Sequence, residues 1–463
     1  FVGVEFSQAQ TQVELLDDAS VHGGLIVQVG VEDVDALIAF GRREGCLVQA
    51  IDADPARVQK AREAVAAEGL YGKVSIERLE GDALPYIDNL VNLLIVEPGE
   101  SIPNDEIVRV LCPNGVAYIM SKRGEPTRFV KPRPEEIDEW THYLHSPDNN
   151  AVANDTVVNS PRRLQWDGGP RWTRSHEKMS SMNAMVSAGG RVFYIMDEGP
   201  TSSVQLPPEW KLVARDAFNG VVLWKRDIPR WQTHLWPLKA GPATVPRRLV
   251  AVGDRVYVTL GLTEPAVALD ASTGETVTTY SGTEGTEEIL VKDGVVYVRV
   301  NEDYKPDVYQ PENEHCWTES ARAMSVLGAW KPSERQYVAA IDANSGDELW
   351  RVDSPIGRLT LTVDADSVFF HSGEAIVCLD RSSGEERWED EYPANQYPWL
   401  HLEDRGVETR RVPVVDRRPD FDQIANAIDS KTRILTISWV GFSNGYRHDL
   451  DRLAELAHSR GAL

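Results

Sequence analysis

Apolar and polar positions follow two different periods along this chain. In the first 120 residues, short apolar runs such as 25–29 and 47–51 alternate with stretches of helical spacing, which predicts βαβ units and a parallel sheet. After the Pro- and charge-rich residues 131–136 the period becomes two, with Gly and Asp turns, and this favours antiparallel strands. Beyond Trp388 the βα alternation returns. The patterning therefore predicts a multidomain protein.

The predicted fold class combines α/β and all-β domains. We expect residues 1–125 to form an α/β Rossmann-like domain, residues 126–180 a linker and lead-in segment, residues 181–389 an all-β domain, and residues 390–463 a short α/β fragment. The length of 463 residues agrees with this division, because domains average roughly 150 residues.

Charge and composition exclude several classes of partner. The formal charge is −24, from 48 basic and 72 acidic residues, which would repel a phosphate backbone and argues against nucleic acid. No apolar stretch approaches the roughly 18 residues of a membrane-spanning helix, so no membrane span is expected. The four cysteines lie far apart without a CxxC pair, and we expect buried free thiols.

Candidate ligand-binding residues follow the strands of the α/β domain, because open parallel sheets bind ligands beyond the carboxyl ends of their strands. These residues are 30–33, Asp52, Asp82 and Glu97. Asp52 lies about twenty positions after Gly30, the spacing at which a carboxylate binds ribose hydroxyls. The spacing favours a nucleoside. The predicted site consists of Gly30, Glu32, Asp33, Asp52 and Asp82.

These motifs resemble those of class I S-adenosylmethionine-dependent methyltransferases. Residues 29–33 stand where that family has its Gly-rich loop, 50–55 where it has the acidic ribose-binding turn, 81–85 where a Gly-Asp contacts adenine, and 110–115 before the fifth strand. The resemblance covers about a quarter of the chain. It implies S-adenosylmethionine as the cofactor of the five predicted residues.

An alternative interpretation of the same residues is structural. Glu32 and Val34 stand where the family has further glycines, and side chains there would occupy space that a ligand needs. In this alternative the sheet is a packing module, and Asp52 and Asp82 are turn and helix-cap residues. Both alternatives stay open at this point.

An eleven-residue unit recurs four times in the all-β segment, beginning at Ala214, Ala268, Ala340 and Cys378. Each copy has a glycine four positions after an aspartate, and three copies place Trp224, Trp350 or Trp388 four positions after that glycine, whereas the second copy has Thr278: the Asp-Gly pairs are Asp216-Gly220, Asp270-Gly274, Asp342-Gly346 and Asp380-Gly384. Aspartate accepts hydrogen bonds within a turn and glycine adopts a positive φ, so each unit predicts a β-hairpin. The tryptophans are expected to wedge between radially arranged sheets.

These units resemble PQQ-type propeller repeats, which implies a β-propeller with about four recognisable blades. Quinoproteins of this family carry an adjacent cysteine pair, which this chain lacks, and a bound quinone is not expected. Residues 301–336 are interpreted as an insertion that forms a loop over one face. The resemblance favours an extracytoplasmic, periplasmic setting, with the cytoplasm, where the methyl donor is made, as the alternative.

Two groups of histidines and aromatic residues are candidate ligand sites. His142 and His145 lie three apart on a possible helix, a spacing that metal ligands use, but packing histidines are the favoured interpretation and no metal is predicted. Aromatic packing is the favoured interpretation of residues 231–236, and a ligand pocket is the alternative.

The residues beyond Trp388 resemble the large domain of class V aminotransferases and cysteine desulfurases. The sequence ends where that family enters the strand with the aspartate that pairs with the pyridine nitrogen, and Lys431 does not match the Schiff-base lysine. Pyridoxal phosphate is therefore not expected as a cofactor. A truncated or fused reading frame is the hypothesis for this junction.

The sequence favours a binding or scaffolding protein, with a protein or small-molecule ligand on the propeller face. A methyltransferase that acts on a small molecule or a protein is the alternative, and a fragment of a pyridoxal-phosphate enzyme is the second alternative.

Overall fold

The structure is a computed structural model. It describes residue 19 and residues 21–304, 335–390, 399 and 401–463, except 33, 82, 123–125, 159, 161–163, 170–171, 173, 175–179, 233–243, 374, 413, 416–417 and 438–446. The internal contacts define two compact units, Phe1–Lys331 with Ile341–Glu348, and Pro332–Ala340 with Leu349–Leu463. The α/β domain and the first two β-sheets lie in the first unit, and the C-terminal helices lie in the second.

The α/β domain contains a six-stranded sheet in the order β3-β2-β1-β4-β5-β6. All pairings are parallel except that of β6 with β5, which is antiparallel. The strands are β1 (Gly24–Val29), β2 (Cys46–Asp52), β3 (Val74–Arg78), β4 (Val91–Val96), β5 (Leu111–Ile119) and β6 (Thr127–Val130), and the helices are α1 (Val34–Arg42), α2 (Pro55–Ala67) and α3 (Asn104–Val110). The predicted Rossmann-like architecture is confirmed.

Both faces of this sheet are covered, which explains the continuous apolar runs of its strands. All six residues of β1 are buried. One face packs against α1 and α2 through Leu37, Phe40 and Val58, and the other includes Ile107 and Val110 of α3. Helix α2 begins in the usual way, since Asp54 accepts a hydrogen bond from the N–H of Ala56 and Pro55 is its first residue.

Four four-stranded sheets follow, as the period-two pattern predicts. In each sheet the strands lie next to their neighbours in chain order. The strands are β7 (Met182–Ala188), β8 (Arg191–Asp197), β9 (Trp210–Asp216) and β10 (Val222–Asp227) in the first sheet; β11 (Leu249–Val252), β12 (Arg255–Thr259), β13 (Ala266–Asp270) and β14 (Thr276–Thr279) in the second; β15 (Thr286–Lys292), β16 (Val295–Asn301), β17 (Gln336–Asp342) and β18 (Glu348–Asp353) in the third; and β19 (Thr362–Val363), β20 (Ser367–His371), β21 (Ile376–Asp380) and β22 (Glu386–Asp390) in the fourth.

The recurring Asp-Gly units form the predicted hairpin turns. In the first unit, Asp216 Oδ1 accepts hydrogen bonds from the N–H groups of Phe218 and Asn219, at 2.8 and 2.9 Å. The same pair of bonds recurs at the other three aspartates. The glycine of each unit has a φ between +73° and +78°, which glycine adopts without strain.

Indole side chains join each of two hairpin turns to the preceding sheet. Trp224 Nε1 donates to the carbonyl of Ala271 at 3.0 Å, and Trp350 Nε1 donates to the carbonyl of Arg381 at 2.9 Å. In both cases the ring lies on the glycine of the turn, since a Cβ added at Gly274 or at Gly384 would lie 2.7 Å from the nearest indole atom. At these two tryptophans the predicted contact with the neighbouring sheet is present. The radial arrangement of the sheets stays a prediction, and the side chain of Trp388 lies outside the described residues.

Two further aromatic residues make the same contact, and the sequence pattern did not identify them. Tyr280, two positions after Thr278, donates its hydroxyl to the carbonyl of Ala343 at 2.8 Å. Trp166 precedes the first sheet and donates Nε1 to the carbonyl of Ala217 at 2.9 Å. The second copy of the repeat is therefore not an exception, because Tyr280 supplies the aromatic ring that Thr278 lacks.

Short 3-10 helices (Val245–Arg248 and Glu403–Arg405), two-residue strands β23 (Val414–Val415) and β24 (Arg418–Pro419), and helices α4 (Phe421–Ala427) and α5 (Leu450–Ser459) complete the described elements. Ile424 and Ile428 pack against Leu453 of α5. The main chain of Leu463 exchanges hydrogen bonds with that of Arg433 and Leu435. Most of the predicted insertion at 301–336 lies outside the described residues.

The cysteines that the structure describes, Cys46, Cys112 and Cys378, are buried free thiols, as expected, and Cys316 is outside these residues. Burial raises the pKa of the Cys112 thiol to about 12, so this thiol stays protonated at neutral pH.

Candidate functional site

Asp52 ends β2 at the carboxyl edge of the parallel sheet, where the sequence placed it. Its carboxylate is almost fully buried. The N–H of Val31 donates to Oδ2 at 2.8 Å, and the N–H of Asp54 donates to Oδ1 at 2.7 Å. The carboxylate therefore fixes the turn after β1 and the turn after its own strand.

Arg57, in the first turn of α2, completes the surroundings of Asp52. Its Nη2 donates to Asp52 Oδ1 at 2.8 Å and to Glu100 Oε1 at 3.3 Å, and its Nη1 lies 3.8 Å from Glu32 Oε1. The hydrogen bond that Arg57 donates to Asp52 is the largest cause that raises the pKa of Arg57. One guanidinium thus joins three carboxylates, and we call Asp52, Arg57, Glu32 and Glu100 the Arg57 network.

Gly30 lies beside this network with a φ of +90°. A Cβ at this position would lie 2.8 Å from Glu97 Cβ and 2.9 Å from Glu100 Cγ. Glu97 is buried next to β4 and accepts a hydrogen bond from Gln28 Nε2 at 3.1 Å. The close approach that glycine permits here is thus used by two glutamates of the chain itself.

The structure brings three of the five predicted residues, Gly30, Glu32 and Asp52, to one edge of the sheet, and Asp33 and Asp82 lie outside the described residues. Sequence reasoning named Glu97 as a residue that follows a strand, although not as part of the predicted site, and it missed Arg57 and Glu100. An available signal was the position of Arg57, which falls in the first turn of a helix that starts at Asp54-Pro55. A cation in that turn faces the carboxylate at the end of the preceding strand.

The arrangement of these side chains does not fit S-adenosylmethionine. Ribose hydroxyls would need the oxygens of Asp52, which already accept three hydrogen bonds from Val31, Asp54 and Arg57. The carboxylate of a methionine moiety near Gly30 would lie beside Glu97 and Glu100, because both glutamates come within 2.9 Å of the Cβ position of this glycine. Negative charges so close to one another repel. We therefore derive no methyl-transfer step from this edge.

A second group of polar residues lies in the segment that leads into the β-sheets. His142 is buried, and its Nε2 accepts a hydrogen bond from the N–H of Val291 at 3.0 Å. Burial, followed by the charge of Arg247, lowers the pKa of His142 to about 3, so the ring is neutral. Its single proton is then on Nδ1, 2.7 Å from Thr141 Oγ1.

The possible helix across His142 and His145 is not formed. The two residues face each other in a tight turn, with a φ of +70° at His145. His145 Nε2 lies 2.6 Å from Asp138 Oδ2, on the wall of a groove of about 650 Å³. No group of three His, Cys, Asp or Glu side chains is placed to hold a metal ion within the part of the chain that the structure describes.

The amino edge of the α/β sheet is in contact with the first β-sheet of the same unit. Asn92 of β4 donates Nδ2 to Asp216 Oδ2 at 2.6 Å, and Asn219 Nδ2 donates to Asn92 Oδ1 at 2.6 Å and to the carbonyl of Leu90 at 2.9 Å. Burial raises the pKa of Asp216. A Cβ added at Gly45 would lie 2.7 Å from the carbonyl oxygen of Leu223. The main chain of the α/β domain is therefore in direct contact with the main chain of the first β-sheet here.

Comparisons with known proteins find the resemblances expected from the sequence. A PQQ-repeat family model, described as outer membrane protein assembly factor BamB, matches residues 334–405, and a model described as aminotransferase class-V matches residues 388–463. A probable cysteine desulfurase of Methanothermobacter thermautotrophicus is 28% identical over 130 residues, which cover 28% of this chain and 30% of that protein. The chain thus spans less than a third of this curated relative.

Solved structures similar to this chain include two methyltransferases. One is a putative S-adenosyl-L-methionine-dependent methyltransferase from Methanococcus maripaludis, 19% identical, with 24% of this chain and 53% of that chain covered and a TM-score of 0.23. The other is a SAM-dependent methyltransferase from Aquifex aeolicus, 22% identical, with 25% and 69% covered and a TM-score of 0.22. Among the described helices, none has the length and apolarity to cross a membrane.

Proposed function

We propose that this chain is a binding or scaffolding protein in which PQQ-like β-propeller blades present the binding surface and the α/β domain is a structural unit without a cofactor. The observation that carries the proposal is the Arg57 network, in which Arg57 Nη2 donates at 2.8 Å to the carboxylate of Asp52, the group to which a ribose would have to bind. In this proposal the propeller face binds the partner.

The contact between Asn92 and Asp216 supports the same proposal. A domain that is used for packing needs a fixed position on its neighbour, and this contact is built from hydrogen bonds between groups far apart in sequence. The carboxyl edge is closed by Arg57, and the amino edge is closed by the first blade. Both edges of the parallel sheet are therefore used for stability.

Calorimetric titration of the full chain with S-adenosylmethionine tests this proposal. We expect no heat of binding at millimolar ligand. Micromolar binding that is lost in Asp52→Asn would contradict the proposal and favour the methyltransferase alternative.

Substitution of Arg57 tests the cause of the closure. In Arg57→Ala the oxygen of Asp52 that the guanidinium occupies becomes available, and we expect weak binding of S-adenosylmethionine to appear. Arg62→Ala is the matched control, because Arg62 lies on the same helix and pairs only at the surface, with Glu77 and the carbonyl of Ile76. Binding by the wild type, or equal behaviour of the two variants, would show that Arg57 does not close the site.

A further inference from the structure

Three consecutive residues of the lead-in segment bind the first strands of three successive sheets. The carbonyl of Trp140 accepts a hydrogen bond from the N–H of Ser187 at 2.7 Å, and the carbonyl of Thr141 accepts one from the N–H of Ala251 at 2.9 Å. His142 Nε2 accepts the third, from the N–H of Val291 at 3.0 Å. We call residues 140–142 the axial segment.

The three donors occupy equivalent positions in their sheets. Ser187, Ala251 and Val291 are each the penultimate residue of the first strand, and each pairs with the second residue of the following strand. The first strands β7, β11 and β15 are edge strands, and β11 contacts both of the others. Because each of these N–H groups donates to the axial segment, the three donors lie where the first strands of three successive sheets approach one short stretch of chain.

An edge row of N–H groups is a binding site for polypeptide main chain, because each donor requires an acceptor when it is buried. The axial segment supplies one acceptor per sheet, two from main chain and one from an imidazole. Trp140 adds a reciprocal bond, since its N–H donates to Ser187 Oγ at 3.0 Å. The contact is regular enough that another extended segment with acceptors at the same spacing would satisfy the same donors.

We propose that the inner edges of the first three sheets form a binding site for an extended polypeptide segment, and that residues 140–142 are its intramolecular occupant, released and bound as one unit. This inference names a class of partner for the binding function proposed above. It rests on the axial contacts alone, so it fails or holds independently of the Arg57 network and of the titration with S-adenosylmethionine.

Amide hydrogen exchange tests whether the segment acts as one unit. In His142→Ala the N–H of Val291 loses its acceptor, and we expect exchange at Ser187, Ala251 and Val291 to accelerate together, by at least tenfold. His142→Gln, whose side-chain oxygen can accept the same bond, should restore slow exchange, and His458→Ala on the exposed face of α5 should change none of the three. Acceleration at Val291 alone would overturn the proposal.

A peptide with the sequence of residues 137–146 tests the binding site itself. In a variant of the full chain that lacks residues 140–142, all three acceptors are absent, and we expect a fluorescein-labelled copy of this peptide to bind at least tenfold more tightly than it binds the wild type, measured by fluorescence anisotropy. Equal affinity for the two proteins, or no binding to a deletion variant with native circular dichroism, would overturn the proposal. If the deletion variant does not fold, the exchange experiment on His142→Ala decides.

Discussion

The imidazole of His142 accepts a hydrogen bond from a main-chain N–H group. At the two neighbouring contacts of the axial segment, the carbonyl groups of Trp140 and Thr141 accept the equivalent bonds. The neutral ring fits because Nε2 carries no proton and Nδ1 has Thr141 Oγ1 beside it. A protonated ring would direct an N–H at the N–H of Val291. The interaction therefore depends on the charge state of one buried side chain.

We expect His142 to make the folded protein sensitive to acid. Its pKa is lowered to about 3 by burial and by the charge of Arg247; His145 lowers it further and Asp148 raises it. As the pH falls below about 6.5, the unfolded chain binds a proton that the native state excludes, so the free energy of unfolding falls by about 1.4 kcal/mol per pH unit until about pH 3.

Urea unfolding of the wild type and of His142→Gln between about pH 7 and about pH 4.5 measures this effect. Glutamine cannot take up the proton, so the stability of the wild type should fall more steeply with acidification than that of the variant. Parallel pH profiles for the two proteins would contradict the assignment of this titration to His142.

At the scale of elements, the β-sheets are joined by one aromatic contact that recurs. An aromatic ring from one sheet, or from the segment before the first sheet, lies on or beside a hairpin turn of the next sheet and donates to the carbonyl that follows the turn aspartate. Glycine in the turn has two roles, since it adopts a positive φ and leaves room for the ring. Substitution of this glycine by alanine therefore costs more than backbone strain alone.

We expect Gly274→Ala to lower the free energy of unfolding by about 2–4 kcal/mol, because the added Cβ would lie 2.7 Å from the indole of Trp224. Gly253→Ala is the matched control: Gly253 has a φ of +57° in a turn of the same sheet, with nothing within 4 Å of an added Cβ, so it should cost only about 1–2 kcal/mol. Chemical denaturation measures both values. Equal losses would show that the indole contact adds no penalty to the backbone strain.

How much the sequence predicts depends on how local each contact is. The Asp-Gly hairpins were predictable because all their hydrogen bonds lie within five residues. Tyr280 was not, since it is displaced by two positions from the tryptophans of the other copies and only the packed turn shows that it has their role. Of the candidate site, the position of Asp52 was predictable from strand spacing, and the place of Arg57 in the first turn of α2 was a signal for their pairing. The close approach of Glu97 and Glu100 to Gly30 required the three-dimensional structure.

At the scale of the whole first unit, the α/β domain is joined to the repeats by a residue that differs from its counterparts. Asn219 stands where the other copies have Thr273, Ser345 and Ser383, and only asparagine is long enough to reach Leu90 and Asn92 while its N–H remains bonded to Asp216. This difference within the repeat was visible in the sequence, but its partner, more than a hundred residues away, was not.

We expect Asn219→Ser to lower the free energy of unfolding by about 1–3 kcal/mol, because it removes two hydrogen bonds and leaves buried polar groups at the contact with the α/β domain. Thr273→Ser is the control at the equivalent turn position, and surface substitutions of this kind stay within about 0.5 kcal/mol. Urea denaturation of both variants measures the difference. A loss in Asn219→Ser no larger than that in the control would show that the contact does not hold the two parts together.

The axial segment advances by one residue for each sheet that it meets. Each of its three residues therefore supplies the acceptor for one sheet. One inserted residue between Trp140 and His142 would move the later acceptors away from their donors. The length of this stretch, more than most of its side chains, thus decides whether all three hydrogen bonds form at once.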